Sequence, residues 1–381
     1  MTRRYLPGAT IGLMGSGQLG RMFAIAARRM GYRIHVFSPE KDTPAGQFAD
    51  REVTGAYDDE SAVRAFAQGL DLLTFEFENI PRATIEWCAA ECEVRPDGSI
   101  LHTAQNRLRE KDFLSGAGIP VAHYSPVRTA AELSKAFHEI KMPCILKSAA
   151  FGYDGKGQRF IDNAPDLDAI WAERPGDELI LERAIDFEKE VSVIVARGID
   201  GSIKTFPVCE NIHRDHILDI TVVPARISAG VEKSAADLAR HIAEKMDLVG
   251  ILAVEMFLDR DGNLLVNELA PRPHNSGHWT IEGCATSQFE QHVRAVCGLT
   301  LGATGILRPA AMANLLGDLW QPGEPNWAAA LAVAGTHLHL YGKREPRPRR
   351  KMGHLTALAE TAEAAIEAVS KARTALRQPA S

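Results

Sequence analysis

Residues 251–272 read ILAVEMFLDRDGNLLVNELAPR, two apolar runs separated by the turn-forming DRDG. The pattern predicts an antiparallel hairpin in which residues about equally far from the turn face each other. Glu255 and Glu268 are such a pair. Carboxylates rarely sit in apolar strands without a positive partner. Two partners suit this pair: a magnesium ion, which takes one or two protein carboxylates plus phosphate oxygens, or an arginine such as Arg272. Asn267 adds a neutral oxygen next door. On either reading the hairpin marks a site.

Upstream, PCILKSA (143–149) predicts a buried strand carrying Lys147, and FGYDGKGQ (151–158) follows with three glycines in eight positions. A Walker loop would continue Gly-Lys-Ser/Thr into a helix. Here Lys156 is followed by Gly157, Gln158 and the strand-like RFI, so the spacing predicts a hairpin whose tip is a flap able to close over a ligand. DELILERAIDFEKEVSV (177–193) adds strands carrying Glu182 and Glu190, and KSAADLARHIAEKM (233–246) predicts a helix.

At the start of the chain, ATIGLMGSGQLGRMFAIAARRMGYRIHVFSPE (9–40) reads strand, glycine turn, amphipathic helix, strand, the opening of a doubly wound α/β domain. GSGQLG (15–20) has the spacing of a dinucleotide fingerprint, but the second strand ends in Ser38, with Glu40 beyond a proline, where a ribose-binding acid belongs. A phosphate on the helix N-terminus and a plain tight turn both remain open. DLLTFEFENIP (71–81) puts Glu76 and Glu78 at the carboxyl end of a strand, where open α/β sheets bind ligands. The tail predicts a helix over PAAMANLLG (309–317), a strand over THLHLYG (336–342), a basic run GKREPRPRRKMGH (342–354) and an Ala-rich helix. His274 and His278 fall in a loop, not on one helix face, so substrate contacts suit them better than a metal. His337, His339, Trp320 and Trp327 read as structural.

The 381 residues suit two or three domains, and 45% hydrophobic residues with a net charge of -6 describe a globular protein with no global attraction to nucleic acid or membrane. Any anionic ligand must be caught locally. Cysteines 88, 92, 144, 209, 284 and 297 show no C-x-x-C spacing, which suits reduced thiols in the cytoplasm.

The order of Lys147, glycine flap, Glu182, Glu190 and the two-glutamate hairpin resembles the ATP-grasp family. GSGQLGRM, TFEFENIP, FGYDGKGQ and NELAPRPHNSGHWTIEGCATSQFEQH are similar, within it, to the ligases that carboxylate aminoimidazole ribonucleotide in purine biosynthesis. Formate-using relatives acting on glycinamide ribonucleotide, and biotin carboxylases, share the fold but account less well for NSGHW and the basic tail. The resemblance covers nearly the whole chain and implies an α/β (α+β) protein. Its ATP-grasp fold would comprise an N-terminal doubly wound pre-ATP-grasp domain (about 1–100), an ATP-grasp domain (about 101–298, lid about 125–190) and a small C-terminal domain (about 299–381). It also implies a cytoplasmic homodimer that acts on ATP, bicarbonate and the ribonucleotide with Mg2+, without nucleic acid or membrane partners.

For the site, the resemblance implies that Arg107, Lys147 and the flap Gly152, Tyr153, Asp154, Gly155, Lys156, Gly157 and Gln158 hold ATP phosphates. Glu182, Arg183, Ala184 and Ile185 would meet adenine, Glu190 the ribose, and His213 and Asn267 the nucleotide. Glu255 and Glu268 would hold the metal. Gly17, Gln18, Leu19, Glu76, Tyr153, His274, Asn275, Ser276, Trp279, Lys343, Arg350 and Lys351 would surround the ribonucleotide, with Arg272, Lys343 and Asp154 as catalytic groups. The family's basic run usually has Gly where this chain has Arg349, and its first loop is usually richer in glycine than one with Met14 and Ser16.

Overall fold

The computed structural model describes residues 3–150, 157–163, 165–174, 176–321 and 323–377. Its first sheet is five-stranded and parallel, in the order Arg51–Thr54, Arg33–Ser38, Thr10–Met14, Leu72–Phe75, Glu93–Val94. The two central strands are buried almost throughout, which is why they read as continuous apolar runs and not as alternations. The chain reverses its direction of growth between them, and Met14 pairs with Phe75. Gly15 and Glu76 therefore leave the sheet side by side, at the switch point where such folds bind ligands. Gly15 is held at φ 100°, and a Cβ there would lie 2.5 Å from Glu76 Cγ, so this turn requires glycine twice over.

A second, four-stranded antiparallel sheet runs Tyr124–Val127, Leu179–Arg183, Cys144–Ser148, Gln158–Ile161. Helix Ala130–Ile140 covers it, burying Leu133, Ala136 and Ile140 against Leu146, Leu179 and Leu181. The strands expected on either side of the glycine flap are present and paired, Lys147 opposite Gln158. The flap residues Gly152, Tyr153, Asp154, Gly155 and Lys156 lie outside the described residues.

The third sheet has nine strands. Eight run Leu264–Ala270, Gly250–Asp259, Phe187–Arg197, Cys209–Arg214, Ile217–Val223, Ala310–Leu316, Lys351–Leu358, Thr336–Leu340, and Ile203–Thr205 pairs with Phe187–Arg197 off this path. Helix Ala229–Lys245, capped by Ser228, lays Ala235, Ala239 and Ile242 on Val193, Leu252 and Val254. The segment AAMANLL, expected to be a helix, is instead a strand between Ile217–Val223 and Lys351–Leu358, buried over its first six residues. A short apolar run fits a buried helix or a buried strand equally well, and the flanking strands decided. Among the described residues, the tail thus extends the large sheet and builds no sheet of its own. Arg349 stands at φ 65°, in the left-handed region that favours glycine, and is held there by Asp318 at its amide and the Asp215 carbonyl at its guanidinium.

Candidate active site

A cleft of about 800 Å³ opens between the three sheets and gathers most of the residues singled out in the sequence. At its first-sheet end, the Glu76 carboxylate accepts hydrogen bonds from the amides of Gly17 and, at 2.7 Å, Gly20. The N-terminus of helix Gln18–Arg29, expected to hold a phosphate, is therefore already capped by a carboxylate. Gln18 and Leu19 still face the cleft. Burial pushes Glu76 above the usual carboxylate range, and the two amides, with Arg272 and Lys343 nearby, pull the other way.

The hairpin puts Glu255 directly opposite Glu268. The ladder then slips by one residue, with Met256 facing Val266, so Asn267 is an extra residue on its strand. This bulge explains how Asn267 and Glu268, neighbours that a regular strand would point to opposite faces, both line the cleft. Burial and the nearby Glu268 charge push Glu255 up to about 8. Each carboxylate has a positive or donating partner: Glu268 lies 3.3 Å from Arg107, and Glu255 lies 3.1 Å from His274 Nε2. Arg272 pairs with neither; it forms an ion pair with Glu78 at 2.6 Å. Among the described residues no three His, Cys, Asp or Glu side chains converge into a self-sufficient metal site. Two facing carboxylates with an amide oxygen beside them fit Mg2+ of the kind whose shell is completed by substrate phosphates.

On the nucleotide side, Lys147 and Glu182 form a buried ion pair, and the Lys147 and Lys111 ammonium groups outweigh burial to hold Glu182 below the usual range. Glu182 Oε1 is buried without a hydrogen-bond partner among the described residues. The amides of Arg183 and Ala184 are engaged by the His123 and Pro143 carbonyls, and neither residue lines the cleft, nor does Ile185 or Gly157. Glu190 and His213 pair at 2.8 Å; burial disfavours the imidazolium, but the carboxylate prevails and raises its pKa. Gln158 faces the cleft, as do Phe187 and Phe257, whose rings stack 4.7 Å apart and form an apolar wall that the sequence reading missed.

At the far end, His274, Asn275 and Lys351 line the cleft. Both polar side-chain atoms of Asn275 are buried and unpartnered among the described residues. Ser276 and Trp279, expected to touch substrate, do not reach it. Ser276 is fully buried with its hydroxyl 2.9 Å from both Ser192 Oγ and His274 Nδ1, and Trp279 is fully buried with its indole N–H on Cys209 Sγ. They support the loop from beneath. Lys343 and Arg350 flank the cleft without lining it. Lys343 donates to the Lys351 carbonyl at 2.7 Å and is pushed down to about 8 by burial and by Arg350. Arg350 donates to the Glu345 carbonyl. Besides the aromatic pair, the sequence reading missed the Glu78 partnership of Arg272 and the buried Glu110 and Lys111, which in REKD look like a solvated helix surface.

Comparisons with known proteins agree with this fold. Residues 8–105 match the model of a ribonucleotide synthetase preATP-grasp domain, 112–289 that of an ATP-grasp domain, and 310–368 that of a phosphoribosylaminoimidazole carboxylase C-terminal domain. The N5-carboxyaminoimidazole ribonucleotide synthase of Bacillus subtilis (strain 168) is 46% identical over 364 residues, covering 96% of this chain and 95% of that protein. The crystal structure of an ADP complex of an N5-carboxyaminoimidazole ribonucleotide synthetase superposes with a TM-score of 0.92 at 44% identity, covering 99% of this chain and 100% of the other. The Aspergillus clavatus N5-carboxyaminoimidazole synthase in complex with ADP and 5-aminoimidazole ribonucleotide gives 0.87 at 31% identity, covering 97% and 98%.

Proposed function

We infer, because this chain belongs to the N5-carboxyaminoimidazole ribonucleotide synthase family of ATP-grasp enzymes, that it is the ligase converting 5-aminoimidazole ribonucleotide to its N5-carboxy form at the expense of ATP. One observation supports it above the rest. The facing Glu255 and Glu268, the cations Arg107 and Lys147, and the polar group of Glu76, His274, Asn275 and Lys351 share one cleft, so a nucleotide and a second substrate can meet there.

In this reading adenine lies along the Phe187–Phe257 wall near the Glu182–Ile185 backbone, and Glu190 exchanges its contact with His213 for the ribose hydroxyls. Arg107 and Lys147 take the phosphates, and the flap from Gly152 to Gln158 covers them. Glu255, Glu268 and Asn267 would hold Mg2+, which neutralises charge on the phosphate oxygens. Positioning and charge carry most of the catalysis in such transfers. Bicarbonate is the acceptor: its oxygen bonds to the γ-phosphorus as the bond to ADP breaks, giving carboxyphosphate. The exocyclic amine then bonds to the carboxyl carbon, either of carboxyphosphate itself or of the CO2 it releases; in both cases phosphate leaves and takes up the proton that the amine loses. Arg272 steadies the anions after releasing Glu78, Asp154 works from the flap, and Lys343 with Lys351 and Arg350 holds the ribonucleotide's phosphate end, beside Gln18 and Leu19 and with the Gly17 amide left to Glu76. Excluding water protects the labile anhydride. A homodimer in the cytoplasm goes with this reading; among the described residues no helix is long and apolar enough to cross a membrane.

The experiment is ADP release from Mg-ATP and bicarbonate, with and without 5-aminoimidazole ribonucleotide. Strong stimulation by the ribonucleotide is expected. Stimulation by a different amine or acid in its place would keep the ATP site and refute the substrate.

A further inference from the structure

The bulge at Asn267 leaves hydrogen-bonding groups that its own ladder cannot satisfy. Asn267 has no partner on Gly250–Asp259, and among the described residues Leu264–Ala270 is the edge strand of its sheet, met on its other side by an isolated parallel bridge of Val121 to Val266, whose amide donates to the Pro120 carbonyl at 2.8 Å. Buried backbone groups must nevertheless be paired. Two consecutive residues of helix Arg107–Gly116 pair them. Lys111 Nζ donates to the Val266 carbonyl at 3.1 Å and the Asn267 carbonyl at 2.9 Å, and Glu110 Oε1 accepts from the Leu269 amide at 2.7 Å. Both side chains are only 2% exposed. Consecutive helix positions point about 100° apart, so the two side chains reach different backbone groups along the strand. On its remaining side the Lys111 ammonium faces Glu182 Oε1 at 3.9 Å, the carboxylate that also pairs with Lys147.

We propose that Lys111 and Glu110 are positioning residues that lock the bulge, keeping Asn267 and Glu268 both in the cleft, and that Lys111 ties this strand to the Glu182–Lys147 pair of the four-stranded sheet. Its catalytic consequence rests on the reading of Glu268 as a metal ligand; the clamp itself does not. The alternative to a locked bulge is a slip of one residue, which moves side chains to the opposite face of a strand and would take Glu268 out of the cleft. The compact head of lysine can donate to two adjacent carbonyls while its charge stays within ion-pair range of a carboxylate, an arrangement that the planar fork of arginine does not match.

The test uses the whole chain. In Lys111→Met and Glu110→Met, hydrogen exchange across residues 266–269 should quicken by about tenfold or more relative to wild type, with the first-sheet strand 10–14 unchanged. In the same proteins the tightening of ADP binding by Mg2+ over EDTA, read by calorimetry, should shrink about tenfold, and kcat should fall while KM for the ribonucleotide stays put. Unchanged exchange at 266–269 in folded Lys111→Met overturns the clamp. Faster exchange with an intact Mg2+ increment overturns its link to the site. Should Glu268→Gln keep the full Mg2+ increment, the metal reading fails while the exchange data still decide the clamp. If Lys111→Met does not fold, Glu110→Met, which frees only the Leu269 amide, decides it.

Discussion

At the scale of single residues, two changes separate the halves of the site. Glu268→Gln keeps volume and removes one charge facing Glu255. ADP release should fall about a hundredfold or more, as when one preorganised charge contact is lost, with the melting temperature close to wild type. Near-normal turnover would remove Glu268 from the metal. Lys343 titrates lower than an ordinary lysine, at about 8 against 10.5. As pH rises past 8 it loses its proton, so KM for the ribonucleotide should climb between pH 7.5 and 9 while KM for ATP stays flat, and Lys343→Met should abolish the climb. The stability effect has the opposite sense. Between 8 and 10.5 the unfolded chain holds more protons at this site than the folded one, so raising pH through that window relieves a penalty and stabilises the fold. The identities of Glu255, Glu268 and Lys147 were legible in the sequence because charged groups stand out in apolar strands, whereas Arg107, at the start of a helix, came only from the family resemblance. Their present partners were not, since His274, Arg107 and Glu182 reach Glu255, Glu268 and Lys147 from other elements of the chain.

At the scale of elements, the Glu76 carboxylate does for helix Gln18–Arg29 what an N-cap side chain does elsewhere, since Gly17 has none to offer. Glu76→Ala should cost about 1–2 kcal/mol in denaturant unfolding, the worth of a good cap. Glu76→Gln, which retains an acceptor oxygen, should cost about half as much. Equal losses in the two would mean that the charge, and not the hydrogen bonds, holds the helix end. Strand, glycine turn and helix were all legible from the alternation of apolar runs and glycines in this segment. That a carboxylate from residue 76 fills the helix end was not, because it depends on two parallel strands ending level. AAMANLL failed for a related reason: a short buried run carries no period of its own, and only the strands on either side make it a strand.

At the scale of the whole molecule, the pairing of Ala310–Leu316 with Ile217–Val223 welds the tail to the large sheet, and helix Ala362–Ala375 buries Ala311, Ala313, Leu315 and Leu355 with it. A chain ended after residue 308 would expose this face and an unpaired strand edge, an aggregation hazard. It should be insoluble and should not yield a free ADP-binding fragment; a soluble, ADP-binding truncation would show that the tail is dispensable to the fold. The sequence by itself determined the sheet-forming runs ahead of the tail, the facing glutamates, the strand lysine and the glycine turn, because hydrophobic period, charge in apolar surroundings and glycine spacing are local and need no tertiary knowledge. Only the tertiary structure decided the bulge that sends Asn267 and Glu268 to one face, the Lys111 and Glu110 grip on it, the capping by Glu76 and the burial of Ser276 and Trp279. Each of these joins residues far apart along the chain, so its energy exists only once separate elements have packed.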